Sequence, residues 1–324
     1  MIQDTVTEEL LLRKPSFILL LFLLVFIGLF ILDPSQSAVG HFLAPVAGDP
    51  ETSGLYSRFV TSFTLAFVFV LNLIFISLLP SFRLQVVVVW IELLLLFLAF
   101  FYSFDLSFEF IQSKIWFMVT QGVFTTLYVS AISIVIASVI AIIGAVAKLS
   151  SNGFAFAIAS FYTSFFRGLP LLMQVYLIYL GFPQLGFVIG AVPAGIIALS
   201  LCYGAYMTEI FRAGIMSIDD GQWEGSRALG FKFGLTMRRI ILPQSIPLII
   251  PPTGNQFIAM LKDSSLVSVI GVWELMFLAR TLGNKTFNHM EMLITASLMY
   301  WAMSMVFEFI QARIERKFSK AQRR

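Results

Sequence analysis

The sequence predicts an all-α integral membrane protein with about eight transmembrane helices. Three observations carry that expectation. Hydrophobic residues make up 59% of the chain and charged residues only 12%, with a mean hydropathy of +0.91, which leaves too little polar surface to coat a water-soluble fold. The apolar residues are gathered into runs long enough to cross a hydrocarbon layer about 30 Å thick. A single hydrophilic stretch, 222–244, interrupts the second half of the chain.

Taken in order, residues 1–14 are polar, with acids at Glu8 and Glu9 and a basic end at Arg13 and Lys14, and an apolar run over 17–32 follows. No small-residue cleavage site comes after that run, only Asp33 and Pro34, so an uncleaved first span is expected. Pro34, Pro45, Pro50 and several glycines make 33–57 an irregular external loop by composition. The second span is expected over 59–79, stopped by Pro80, and the third over 86–102, with Glu92 inside it. A glutamate in a span is expected to be neutral or paired with a neighbouring helix. Residues 103–116, with Asp105, Glu109 and Lys114, read as an external connection.

The fourth span, 118–147, is rich in Ser, Thr, Ala and Gly, and small residues let helices approach where lipid supplies no hydrophobic drive. This helix is expected to pack against protein. The fifth span covers 160–180 and the sixth 188–211. Over 246–269, Pro247, Pro251 and Pro252 predict a broken helix, which is tolerated at membrane depth only where it is buried in protein or lines a wet path. The last span, 292–314, ends in a basic tail that includes Arg313, Arg316, Lys317, Lys320, Arg323 and Arg324. With both termini cytoplasmic, Arg13, Lys14, Arg83, Lys148, the basic residues of 222–244 and the tail lie inside. Arg58, Lys114, Arg280 and Lys285 lie outside, in keeping with the positive-inside bias.

Several chemistries are excluded or disfavoured. Cys202 is the one cysteine, so no intrachain disulfide can form, and His41 and His289 lie far apart without metal-ligand spacing. There is no Gly-rich phosphate cradle followed by Lys and Ser or Thr, so the chain is not expected to hydrolyse ATP itself.

Within 222–244, the order is Glu224-Gly225-Ser226, then Gly230, a basic run through Lys232, Arg238 and Arg239, and finally Leu242-Pro243. Local physics reads this as a helix, a glycine break and a second helix ended by Pro243, with a new segment from Ser245. The register resembles the EAA loop of ATP-binding-cassette importer permeases, although Gly225 and Ser226 stand where that family usually has two alanines. Two further strings resemble the polar amino acid branch of that family: Arg167-Gly168-Leu169-Pro170-Leu171-Leu172 with Gln174, and Tyr206-Met207-Thr208-Glu209-Ile210-Phe211-Arg212-Ala213-Gly214.

The resemblance covers about the last two-thirds of the chain. It implies a type I permease core of five helices over 116–324, with the EAA loop at 217–244, preceded by a three-helix extension over 1–115. It further implies that the EAA loop forms two short cytoplasmic helices that seat in a groove of an ATPase subunit. The implied assembly has two ATPase subunits, a second permease, identical or paralogous, and a periplasmic solute-binding protein, in the bacterial inner membrane. No cofactor is expected on this chain; ATP and Mg belong to the partner ATPase, and nucleic acid is not an expected partner. The implied function is import of polar amino acids. An importer of the same architecture for another small solute is the nearest alternative. An ion-driven secondary transporter predicts internal repeats and no docking loop, and a structural scaffold gives no reason for broken helices with buried charges.

The polar residues embedded in the core are the candidates for the substrate pathway. A lone charge at the centre of a span costs about 2.5–3.5 kcal/mol on insertion scales, so each should have a partner or a wet face. Arg167 has two roles open to it, a fork for a substrate carboxylate or an anchor at the bend of its helix, with the second favoured. Tyr206 belongs to the same motif as Glu209. Glu209 either holds an amino group or braces its helix end, the bracing role being the favoured one. Gln174 and Asn255 suit the pathway, because an amide bonds a zwitterion without carrying charge. Lys262 and Asp263 are sequence neighbours and do not face each other on a helix, so with Ser264 and Ser265 they are expected to shape a gate.

Overall fold

The structure is a computed structural model that describes residues 14–48, 50–102 and 106–322. The sequence readings that rest on residues 1–13, Asp105, Arg323 and Arg324 lie outside the described residues. The chain divides into two compact units, Met1–Leu106 and Ser107–Arg324.

The first unit contains α1 (Pro15–Leu32), α2 (Ala38–Ala47), α3 (Pro50–Leu78) and α4 (Phe82–Tyr102). Phenylalanines at helical spacing join α1 to α3: Phe22 meets Phe63 edge-on at 5.2 Å and Phe26 meets Phe59 at 5.3 Å. Arg58 closes the C-terminus of α1, donating to the Phe30 carbonyl at 2.5 Å and the Ile31 carbonyl at 3.1 Å and pairing with Asp33 at 3.7 Å. A cation at a helix C-terminus satisfies orphan carbonyls and opposes the negative end of the helix dipole.

Residues 33–57 are thus not irregular. A 3-10 turn at Pro34–Gln36 leads into α2, whose N-cap Ser37 accepts from the Gly40 N–H, and Gly54 at φ +43° bends the start of α3. Pro34 and Pro50 sit at helix starts, where proline is accepted, while Pro45 lies inside α2 close to its end. Glu92 on α4 accepts a hydrogen bond from Asn72 on α3 at 3.0 Å, which gives this acid the helix-paired partner expected of it.

In the second unit, α5 (Phe108–Phe117), a π-type turn (Met118–Val123) and α6 (Phe124–Leu149) run together as one helical stretch. The segment expected as an external connection is therefore helical from Phe108. Ser107 caps it by accepting from the Phe110 N–H, and Glu109 sits in the first turn, where the helix dipole favours an acid. The remaining helices are α7 (Gly153–Gly168), α8 (Leu171–Gln184), α9 (Ala191–Met216), α10 (Asp220–Ala228), α11 (Phe233–Thr236), α12 (Leu242–Asp263), α13 (Leu275–Thr286) and α14 (His289–Gln322).

The core is the α6–α9 interface. A Cβ at Gly144 would sit 2.5 Å from the Thr208 hydroxyl, so only glycine permits this approach of the two backbones. Ala137, Ala141 and Ala145 are buried along the same helix, and the Ser200 hydroxyl donates to the Ser133 carbonyl at 3.3 Å.

The fifth span is two helices, since α7 and α8 meet at 106° across Leu169 and Pro170. Two expectations about proline are corrected. Pro243 does not end a helix, because α11 passes through a π-type turn (Met237–Ile241) straight into α12. Nor do Pro247, Pro251 and Pro252 break α12, which is continuous to Asp263 and only then tightens into a 3-10 turn, Ser264–Ile270. Spacings of four between Pro243, Pro247 and Pro251 place the rings on one face. A missing N–H leaves only the carbonyl four residues earlier without its helical partner, a loss that a helix among other helices tolerates.

Among the described residues, six helices are long and apolar enough to cross a membrane, or up to eight if each of two bent pairs counts as one span. α13 had no expected counterpart. It is short and amphipathic, and its start is fixed from a distance: buried Glu274 accepts from the Met276 and Phe277 N–H groups and from the Tyr300 hydroxyl of α14.

Candidate functional site

The break between α7 and α8 opens a cavity of about 460 Å³, lined on one side by the Arg167–Leu171 turn and on the others by residues of α9 and α12. Its charged groups are Arg167 and Asp263. The guanidinium of Arg167 lies over the ring of Tyr206 at 5.4 Å, a contact that orients the side chain and leaves its N–H groups available. Asp263, the last residue of α12, accepts from the Tyr203 hydroxyl at 2.7 Å through one oxygen. A cation and an anion lining one small, partly polar hollow match the two ends of a zwitterion.

Gln174 does not line this cavity. It is 2% exposed, and its amide donates to the Phe166 carbonyl at 2.8 Å and the Leu169 carbonyl at 2.9 Å, groups that lose helical partners where α7 ends. Glu209 lies apart as well, between Lys148 of α6 at 2.5 Å and Arg212 at 3.0 Å, and Lys148 also reaches the Thr163 hydroxyl at 3.1 Å. That group ties α6, α7 and α9 together. Asn255 accepts from Gln311 of α14 at 2.9 Å. Lys262 is exposed, buried Ser264 donates to the Leu261 carbonyl at 2.7 Å, and Ser265 is half-buried. Of the proposed pathway residues, the structure therefore brings Arg167, Tyr206 and Asp263 together. Tyr203 and Gln256 line the cavity too and were not singled out from sequence. The signal for Tyr203 was its place one turn before Tyr206, and for Gln256 its place seven residues before Asp263.

The 222–244 stretch is built around α10. Asp219 caps it by accepting from the Gly221 N–H at 2.8 Å. Its end is a Schellman motif: the Phe231 N–H donates to the Ser226 carbonyl at 3.0 Å and the Gly230 N–H to the Arg227 carbonyl at 2.9 Å, with Gly230 at φ +74°. Glycine is required there by conformation, since a Cβ would meet nothing within 4 Å. Gly225 is likewise open, and Ser226 is turned inward, 2% exposed, with its hydroxyl on the Trp223 carbonyl.

Trp223 stacks on Phe233, and an apolar cluster of Ile215, Ile218, Met237 and Ile241 joins the stretch to the end of α9 and the start of α12. Glu224 is exposed, and Leu229 and Phe233 of the same stretch present bare apolar surface. Leu242 and Pro243 form the first turn of α12.

Residues 137–320 match the family described as "Binding-protein-dependent transport system inner membrane component". The arginine transport system permease protein ArtQ of Bacillus subtilis (strain 168) is 40% identical over 200 residues, which cover 61% of this chain and 91% of that protein. The putative glutamine transport system permease protein GlnP of Rickettsia bellii (strain RML369-C) is 39% identical over 205 residues, 63% of this chain and 94% of that one. A crystal structure of an amino acid ABC transporter with histidines has 35% identity and a TM-score of 0.62, covering 66% of this chain and all of the other. An inward-facing MetNI methionine ABC transporter, at 21% identity and a TM-score of 0.56, shares the fold. With the bent helix pairs, the α6–α9 core and a match over 137–320, the chain belongs to the binding-protein-dependent transport system inner membrane component family.

Proposed function

We propose that this chain is the transmembrane permease subunit of an ATP-driven, binding-protein-dependent importer of polar amino acids. The observation that carries the substrate reading is the pairing of Arg167 and Asp263 across one cavity, which suits the carboxylate and ammonium of an α-amino acid. The names of the relatives, for arginine and glutamine transport, point the same way.

In this reading 222–244 is the coupling segment. Glu224 meets a basic group on the ATPase, and exposed Leu229 and Phe233 supply the apolar contact. The apolar cluster beneath joins this segment to α9 and α12. Those helices also carry Tyr203, Tyr206, Gln256 and Asp263, so movement of α10 reaches the cavity through rigid elements. Lys262, Ser264 and Ser265 then belong to the gate that follows α12, while Gln174, Glu209 and Asn255 hold the helices that frame the path.

The assembly comprises two permeases, identical or paralogous, two ATPase subunits holding ATP and Mg, and a periplasmic binding protein. Both termini lie in the cytoplasm, and the N-terminal helices α1 to α4 form an extension to the permease core. The test is amino acid uptake and amino-acid-stimulated ATP turnover by the complex reconstituted in vesicles, beside the chain purified alone. The complex should do both and the isolated chain neither, because it lacks a phosphate-binding loop. ATP turnover by the isolated chain, or a complete complex indifferent to amino acids, would sink the proposal.

A further inference from the structure

We infer that the cavity selects α-amino acids whose side chains carry no charge, with the Gln256 amide as the group that reads the side chain. This rests on the amino acid reading above and narrows it.

The argument is a charge balance. The lining holds one cation, Arg167, and one anion, Asp263, and the rest of the wall is uncharged: Cys202, Tyr203, Tyr206, Gln256 and the backbone turn from Gly168 to Leu171. A bound zwitterion uses both charges. Arg167 has no carboxylate partner among the described residues, and Asp263 has one oxygen that accepts no hydrogen bond there, so each is available to its half of the ligand. A third charge, on the side chain, would meet no counter-ion in this lining, whereas a neutral polar side chain needs none.

The other charges carried by α9 and α12 do not supply one. Lys262 is exposed and does not line the cavity, and Glu209 is already held by Lys148 and Arg212.

Gln256 is placed to read what remains. It lies seven residues before Asp263 on α12, hence on the same face and about 10 Å away along the axis. Its amide makes no hydrogen bond to a described residue, whereas Gln174, Gln244 and Gln311 are engaged with backbone carbonyls. An amide offers both donor and acceptor, which suits a carboxamide or hydroxyl side chain and neutralises neither a cation nor an anion.

The experiment is equilibrium binding by calorimetry to the assembled transporter in nanodiscs, without its binding protein, using glutamine, asparagine, arginine, lysine and glutamate. The wild type should bind glutamine or asparagine at least tenfold more tightly than the three charged amino acids. Gln256→Glu should shift the arginine-to-glutamine ratio at least tenfold towards arginine. Gln256→Lys, which also serves should the first variant fail to assemble, should shift the glutamate-to-glutamine ratio towards glutamate. Asp263→Asn should weaken all five ligands.

Arginine bound as tightly as glutamine by the wild type, or ratios unmoved in both Gln256 variants, overturns the selectivity while leaving the amino acid reading intact. Failure of every amino acid to bind the wild type, or no effect of Asp263→Asn, overturns that reading and this inference with it.

Discussion

At the scale of single residues, the glutamines show how one side chain type is divided between structure and function. Gln174 and Gln256 are both neutral amides in apolar runs, and the sequence motif draws attention to Gln174 alone. The fold assigns Gln174 to the carbonyls of Phe166 and Leu169 at the α7 break. Gln174→Leu keeps the volume and removes both donors, leaving two carbonyls unsatisfied, and should destabilise the protein by about 1–3 kcal/mol. Thermal unfolding in detergent reads this as a lowered midpoint; an unchanged midpoint would mean the bonds add nothing.

Glu209 makes a similar case. Glu209→Gln leaves Lys148 and Arg212 without their shared anion. For side chains 14–32% exposed, the loss should be about 1–3 kcal/mol, below that of a fully buried pair. Adding Lys148→Met should restore part of it, and a double variant less stable than the single one would show that repulsion is not the cause.

At the scale of elements, the α10–α11 corner is decided by one backbone angle. Gly230 at φ +74° closes the Schellman motif, and a residue with a Cβ there carries about 1–2 kcal/mol of left-handed strain, more if β-branched. Gly230→Val should therefore lower transport and substrate-stimulated ATPase activity of the assembled complex, while Gly230→Asn, which tolerates this conformation, should stay near wild type. Glu224→Lys should also lower coupling, with membrane insertion intact, because this exposed side chain holds no helix together. Complex recovery serves as the control. Normal transport in both Gly230→Val and Glu224→Lys would make the corner a bystander.

At the scale of the whole molecule, orientation follows from where the basic residues fall. Reporter fusions after Arg83, Lys148 and Arg324 should read as cytoplasmic and a fusion near Gly48 as external. An external signal at Arg324 would change the parity of spans and with it the side on which 222–244 lies.

The membrane class and the run of apolar helices are legible in sequence because lipid imposes local rules. A span must be apolar along its length and must satisfy its own backbone, so composition and run length suffice. The Gly230 turn is equally local, a positive φ that glycine adopts freely. What local rules missed was decided by distant partners. The prolines of α12 predict a break by themselves, yet that helix continues through them, beside a π-type turn and against α14. α13 starts where it does because Tyr300, twenty-six residues on, donates to its cap Glu274. The cavity is the clearest case: Arg167, Tyr203, Gln256 and Asp263 come from three separate helices, and no spacing in the chain shows that they share a wall. Sequence supplied the residue types; only the 106° break between α7 and α8 and the packing of α9 and α12 beside it decided which of them face the same space.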